Sequence, residues 1–447
     1  YSEKERIFKT SNGPGKKINK PGWLLARLAA GKLESHAITS LKDERGQNQY
    51  ENNKLVKLME NFYKQLYTSE NTATLSDTQN FLHKLNLPTL SEGDRARLGE
   101  QITQEEVLTA IKSLQGGKAP GPDGFGPNFY KVFQDQVAIP LLNVYLMYLH
   151  SIKRGSLPNT LSSANISLFH KKDKPADQCA SYCPVSLINV DSKVLSKILS
   201  NRLENYIPKL IKADQMGLIK NRESITNMRK LLNIIEHCNV TKTQGLVVSL
   251  DVEKAFDRVE WTYMFAVMEK FGLGRVFIDM IRLLYVTPRA CVLVNGIKSS
   301  EFCLQRSTRQ GDPISPLIFA LVIEPLAEAI RNNQSISGYQ IQGFEFKILL
   351  YADDVLLFVT NPQDAIPSVL SIIETFGYLS GYKVNMNKTI AMPLGNLPMT
   401  CNIPFTWSGS GFKYLGIHIS PNIRSILKQN IDIFLDGWIS RSFGWEE

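Results

Sequence analysis

The sequence predicts an α+β fold in which an antiparallel sheet packs on helices, and three observations carry that prediction. Tyr351-Ala-Asp-Asp354 sits between the apolar runs 347–350 and 355–359, the pattern of a tight turn joining two strands. A second run, Gly245-Leu-Val-Val-Ser-Leu250, is nearly all apolar, as in a buried strand, and ends on the carboxylate of Asp251. Helical spacing of apolar residues fills long stretches between such runs.

The elements follow in chain order. Residues 1–60 form an N-terminal linker unit marked by the Gly/Pro/Lys-rich patch Asn12-Gly-Pro-Gly-Lys-Lys17. Residues 61–240 form a second unit, opened by the apolar pattern Phe62-Tyr-Lys-Gln-Leu-Tyr67. Within it, Thr103 with Glu106 three residues on is a capping box, and its helix stops at Gly116-Gly117. The loop 116–126 reads as a rigid Pro/Gly turn. It is not a P-loop, because Lys118 precedes Ala119 and no G-x-x-x-x-G-K frame fits. From 185 to 204 helical spacing predicts one helix, with Lys193, Lys197 and Arg202 on its polar side, solvated by default or set near phosphates.

Residues 241–395 form the third unit. After the strand that ends at Asp251, residues 252–261 read as the start of a helix and 262–285 as further helix. Asn295-Gly296, flanked by 290–294 and 301–304, is the strongest short hairpin signal in the chain. In the fourth unit, 396–447, the pattern thins.

Composition bounds the partners. Lys and Arg number 51 against 42 Asp and Glu, a net charge of +9 that favours a polyanion. The 6 cysteines, at 179, 183, 238, 291, 303 and 401, lack C-x-x-C spacing, so reduced thiols and an intracellular site, cytoplasmic or nuclear and not secreted, are expected. No apolar run approaches the ~18 residues of a membrane span. The chain opens on Tyr1-Ser-Glu without an initiator Met or signal peptide and reads as a fragment. Nothing in the sequence sets an oligomeric state.

The carboxylates carry the chemistry. Adjacent Asp353 and Asp354 repel one another unless a cation is supplied, and hard divalent metals bind through one or two carboxylates plus substrate phosphates. Aspartates also occupy strand turns for local hydrogen bonding, so the pair alone leaves both readings open. Asp251 on a second strand shifts the balance toward a metal pair, with two ions ~4 Å apart serving an in-line phosphoryl displacement.

Eight ordered segments then resemble the reverse transcriptases of LINE-type, non-LTR retrotransposons. They are Gly117-Lys-Ala-Pro-Gly-Pro-Asp-Gly-Phe125, Ile166-Ser-Leu-Phe-His-Lys-Lys-Asp173, Ser181-Tyr-Cys-Pro-Val-Ser-Leu-Ile-Asn189 and Ser249-Leu-Asp-Val-Glu-Lys-Ala-Phe-Asp257. After these come Arg309-Gln-Gly-Asp-Pro-Ile-Ser-Pro316, the Tyr351 box, Gly381-Tyr-Lys-Val-Asn-Met-Asn-Lys-Thr389 and Phe412-Lys-Tyr-Leu-Gly-Ile417. The resemblance runs from about residue 61 to 420. It implies a right-hand polymerase with fingers across 61–240, a palm across 241–395 and a largely truncated thumb beginning in 396–447. It also implies an upstream endonuclease and a downstream Cys/His-rich tail outside this segment.

By the same resemblance Asp251, Asp353 and Asp354 hold two Mg²⁺ ions, with Mn²⁺ as a possible substitute, and Lys388 is the general acid for pyrophosphate. Lys171, Lys172, Phe256, Arg309, Gln310 and Gly311 meet the deoxynucleoside triphosphate. Tyr351 and the segment Lys413-Tyr414-Leu415-Gly416 meet a DNA primer paired to an RNA template. Phe256, five residues after Asp251, resembles a steric gate that excludes a ribose 2′-hydroxyl, which disfavours RNA synthesis. Its ring, like that of Tyr351, also suits a core position.

Two positions depart from the family pattern. Cys183 stands where relatives normally have Arg, whose guanidinium binds a triphosphate bidentately, and Ser307 stands where they usually have Gly. The function expected is therefore RNA-directed DNA synthesis, the alternative being a catalytically impaired or co-opted copy that only binds nucleic acid.

Overall fold

The computed structural model describes residues 37–151, 159–171, 174–399 and 402–442, with side chains of 150–151, 159–160 and 433–442 left aside. Lys172, Cys401 and most of the N-terminal linker unit, with its Asn12–Lys17 patch, lie outside the described residues.

In chain order, the elements that position the site are α1 (Asn52–Tyr67), α2 (Gln104–Ser113), β1 (Ser163–His170), β2 (Tyr182–Ile188), α3 (Val190–Glu204) and α4 (Ser224–Thr241). Then come β3 (Gly245–Leu250), α5 (Trp261–Lys270), α6 (Arg275–Leu283), β4 (Arg289–Val294), β5 (Ile297–Lys298), β6 (Phe302–Cys303) and α7 (Ser315–Asn332). The remainder are β7 (Ile348–Tyr351), β8 (Asp354–Val359), α8 (Pro362–Ser380), β9 (Ile390–Leu394), β10 (Thr406–Trp407), β11 (Phe412–Tyr414) and β12 (Ile417–Ile419).

The central sheet has the order β7-β8-β3-β9-β10. Its pairs are antiparallel except β9 with β10, which run parallel, so the antiparallel expectation holds for four of the five strands. β3 lies in the middle and is buried on both faces, which is why its apolar run is continuous rather than alternating. Leu246, Val248 and Leu250 join the core formed with α5, α7 and α8, while Val247 faces Met228, Leu231 and Ile235 of α4 together with Phe358 and Met392.

A second sheet has the order β2-β1-β4-β5, with β6 also paired to β4. α1 packs on it through Leu55, Met59 and Tyr63 against Ile166 and Val292. The hairpin at Asn295-Gly296 forms as its signal predicts, with φ of +51° and +82° closing β4 onto β5. The capping box also forms: Thr103 Oγ1 accepts from Glu106 N–H, and a Glu106 carboxylate oxygen accepts from Thr103 N–H.

Three expected helices come out differently. Residues 185–188 belong to β2, whose burial alternates from Tyr182 to Ile188, and the helix starts only at Val190. The helix expected from 252 starts only at Trp261: Val252 bridges to Val384, Lys254 takes a left-handed φ of +51°, and a short 3₁₀ turn at Ala255–Asp257 precedes α5. The stretch 262–285 is two helices, because Gly272 and Gly274 take φ of +69° and +81° between them.

Candidate active site

The site forms where three strands end together. Asp251 follows β3, and its backbone is pinned on the β9 side: Asp251 N–H donates to Thr389 Oγ1 at 3.2 Å, and its carbonyl accepts from Asn385 N–H at 2.8 Å. β8 pairs with β3 so that Val355 faces Leu250, and one step further along that register Asp354 faces Asp251. Asp353 lies in the two-residue turn that closes β7 onto β8, with Tyr351 opposite Asp354 and Ala352 at φ +57°.

Electrostatics agree with that convergence. Burial raises the Asp353 carboxyl above the usual carboxylate range, with the Asp251 charge adding to the rise and Lys171 opposing it. Asp354 is pushed up to about 6 by burial and then by the charges of Asp353 and Asp251. Asp353 and Asp354, both raised in part by the Asp251 charge, offer together with Asp251 the oxygen ligands a hard divalent cation takes. Among the described residues no group of three or more His, Cys, Asp or Glu side chains closes on one metal position.

The turn is braced from outside the sheet by residues that strand and turn signals do not reveal. Gln215 Oε1 accepts from Ala352 N–H at 3.1 Å and Gly217 N–H at 2.9 Å. A Cβ on Gly217 would lie 2.2 Å from Ala352 N, so only glycine lets the two backbones meet. The guanidinium of Arg222 donates to the carbonyls of Ile211, Lys212 and Gln215 and holds that segment in place. The legible signal was Gln215-Met-Gly217, a glycine with no turn partner between two helical stretches.

Beside Asp251 opens a cleft of about 510 Å³ walled by Lys171, Lys174, Lys254, Arg258, Lys383 and Lys388, with Asn385 also lining it. Lys388 is therefore on the cleft wall, exposed, with its N–H held by Asn385. Lys171 is anchored by its backbone N–H to Ser181 O at 2.9 Å. Lys174, Lys254, Arg258 and Lys383 were not singled out in the sequence, where scattered single cations give no signal of convergence.

Phe256 is half-buried, its ring stacked on Phe319 of α7 at 4.2 Å between centroids and 19° between planes, and its carbonyl accepts from Thr308 N–H. Gly311 has φ of +103°, and a Cβ there would lie 2.7 Å from Ser186 O. Gln310 O accepts from Ser186 N–H at 2.9 Å, and Gln310 Oε1 lies 3.6 Å from the Cys183 thiol. This joins the 309–316 segment to β2.

Two expected cations are placed elsewhere. Arg309, expected at the nucleotide, is buried, paired with Asp312 at 3.3 Å and lying 5.7 Å from the Tyr285 ring centroid. Arg202, expected near phosphates, is consumed by Glu106 at 2.6 Å and by the carbonyls of Leu98, Glu100 and Gln101. Arg202 meets partners about a hundred residues away that local spacing does not reveal, whereas Arg309 meets an acid three residues on.

Tyr351 is half-buried at the end of β7. The hairpin β11–β12 turns at Leu415-Gly416, φ +47° and +86°, leaving Lys413 exposed and Tyr414 buried with its hydroxyl accepting from Asn227 Nδ2 at 3.3 Å. Burial raises the Tyr414 hydroxyl above its usual range, with Asp354 and Tyr351 among the smaller causes, so the hairpin stands near the carboxylate turn.

Comparison with known proteins follows the same outline. Residues 169–419 match the family model described as reverse transcriptase (RNA-dependent DNA polymerase). The chain is 27% identical over 340 residues to the transposon TX1 uncharacterized 149 kDa protein of Xenopus laevis, covering 75% of this chain and 26% of that one. It is 25% identical over 343 residues to the retrovirus-related Pol polyprotein from type-2 retrotransposable element R2DM of Drosophila melanogaster, covering 72% and 31%. It is 23% identical over 331 residues to the RNA-directed DNA polymerase from mobile element jockey of Drosophila funebris, covering 71% and 35%. The chain belongs to the reverse transcriptase family and is a module of its LINE-type, non-LTR branch. It spans about a quarter to a third of the length of these relatives. No helix among the described residues is long and apolar enough to cross a membrane.

Proposed function

We propose that this module carries out RNA-directed DNA synthesis, adding a deoxynucleotide to the 3′-hydroxyl of a DNA primer paired to an RNA template. The observation that carries the reading is the convergence of Asp251, Asp353 and Asp354, from strands about a hundred residues apart, with Asp251 lining a cleft walled by cations. In this reading the central sheet is the palm, the second sheet with α1–α3 forms the fingers, and the β11–β12 hairpin begins the primer-grip region.

Asp251 and Asp353, with Asp354 beside them, would hold two Mg²⁺ ions, Mn²⁺ being a substitute. When bound, such ions activate the attacking oxygen and stabilise the leaving one. The chain's own residues do the rest. Lys171 and its neighbours receive the triphosphate, and Lys388 delivers a proton to the departing pyrophosphate. Gln310 and Gly311 line the nucleotide from the β2 side, and Tyr351 with Lys413–Gly416 steadies the primer end. Phe256 cannot retreat, because Phe319 backs it, and so presents a fixed ring to C2′ of the sugar.

One observation favours the second reading, a copy that binds nucleic acid without polymerising. Position 183 offers a thiol facing Gln310 in place of a guanidinium. Primer extension on a homopolymer RNA template separates the two. The wild-type chain is expected to extend, and Asp353→Asn to abolish extension while RNA affinity stays within a few-fold, since the amide weakens metal binding and leaves the cationic wall intact. Equal extension by wild type and Asp353→Asn would remove the metal assignment; no extension by wild type with retained RNA binding would favour the second reading.

A further inference from the structure

Lys254 follows Asp251 by three residues, and its left-handed φ of +51° turns it away from the path a helix would take. The side chain crosses to β2, where Nζ donates to Tyr182 O at 2.5 Å, the carbonyl directly before Cys183. The same carbonyl accepts from Tyr63 OH at 3.0 Å, and the ammonium stands 5.8 Å from the Tyr63 ring centroid. The ammonium is thus fixed next to position 183 and on the wall of the cleft that holds Asp251.

Among the described residues no carboxylate pairs with its ammonium. The acid that acts on it most, Asp257, is fully buried and already accepts from Tyr67 OH at 3.0 Å. Burial disfavours the Lys254 charge most, and nearby Lys171 and Lys174 add to that. An ammonium has three donors, and the Tyr182 carbonyl takes one. A polyanion entering the cleft would relieve both the repulsion and the unused donors.

Resting on the polymerase reading above, we propose that Lys254 binds the phosphate chain of the incoming deoxynucleoside triphosphate and supplies the positive charge that β2 lacks at Cys183. The residue is held by a main-chain carbonyl on one side and presented to the cleft on the other, so the contact is pre-positioned rather than recruited from solvent.

The test uses the whole chain with a primer–template duplex. Lys254→Met, which keeps the aliphatic stem, is expected to raise the deoxynucleotide KM ~10-fold or more with kcat and primer–template Kd within about twofold. Lys254→Arg is expected to stay near wild type. Cys183→Arg placed in the Lys254→Met background is expected to recover most of the loss, because the new guanidinium rises beside the vacated ammonium position. A second readout, equilibrium binding of a fluorescent deoxynucleoside triphosphate followed by anisotropy, is expected to show the same order of affinities without any turnover.

Unchanged KM and triphosphate affinity in Lys254→Met overturn the proposal, as does a parallel fall in kcat, duplex affinity and thermal stability, the mark of a purely structural lysine. Failure of Lys254→Arg to hold affinity also overturns it. If the wild-type chain extends no primer, the polymerase reading falls, yet the binding readout still decides: a triphosphate affinity lost with Lys254→Met upholds the anion contact, and one that is unaffected or absent in wild type ends it.

Discussion

Ser307 is buried with φ of +109°, a conformation that only glycine adopts without strain. Its hydroxyl accepts from Arg309 N–H at 2.9 Å, so a substitution changes strain and a hydrogen bond together. Comparing Ser307→Gly with Ser307→Ala isolates the strain, because both lose the hydroxyl and only glycine relaxes the backbone. The glycine variant is expected to be more stable than the alanine variant by about 1–3 kcal/mol in urea unfolding; equal midpoints would show that the strain is not held there. At Phe256, replacement by Ala opens the space beside C2′, and ribonucleotide use relative to deoxynucleotide use is expected to rise ~10-fold or more. An unchanged ratio would return the ring to a packing role against Phe319. The acids of the site were legible in the sequence because each closes an apolar strand run, whereas cations gave no comparable signal. Arg309 and Lys254 look equally free as letters, yet one is sunk against Asp312 and the other lines the cleft.

At the scale of elements, the β7–β8 hairpin was readable because its turn and both strands are contiguous, and its register follows from a two-residue loop. The brace on it was not, since Gln215 and Gly217 are more than a hundred residues away and touch only backbone. Gly217→Ala is expected to force the carboxylate turn outward and lower kcat/KM for extension by ~100-fold or more, a misplacement of about 1 Å being enough. Primer–template affinity should hold within a few-fold. Full activity in that variant would mean the turn tolerates the displacement and that Gln215 alone sets its position. The misread stretches share one cause. Residues 185–188 carry apolar spacing compatible with either period, and 252–261 is bent by a bridge to Val384 that no local pattern encodes. Long-range pairing decided both.

Across the whole molecule, the α+β class was evident from the alternation of runs, but not the division into two sheets or the parallel β9–β10 pair, which depend on where distant strands meet. The net charge of +9, read together with the cation-walled cleft, sets a further expectation. RNA affinity should fall linearly on a logarithmic salt scale with a slope of about 3–5, as when some four to seven phosphates release counterions from a single strand. A slope near zero would exclude the cationic wall as the template's holding surface. The strand order of the central sheet has one more consequence, concerned with time rather than geometry. The middle strand is synthesised first, the hairpin bearing the paired acids arrives about a hundred residues later, and β9, which pins Asp251 from its other side, later still. During translation at ~5–20 residues per second, a ribosome therefore carries Asp251 for several seconds before its partners exist. In the later part of that interval the nascent chain already holds every strand of the second sheet while the carboxylates have not yet met, and its central strand must be shielded from pairing with anything else.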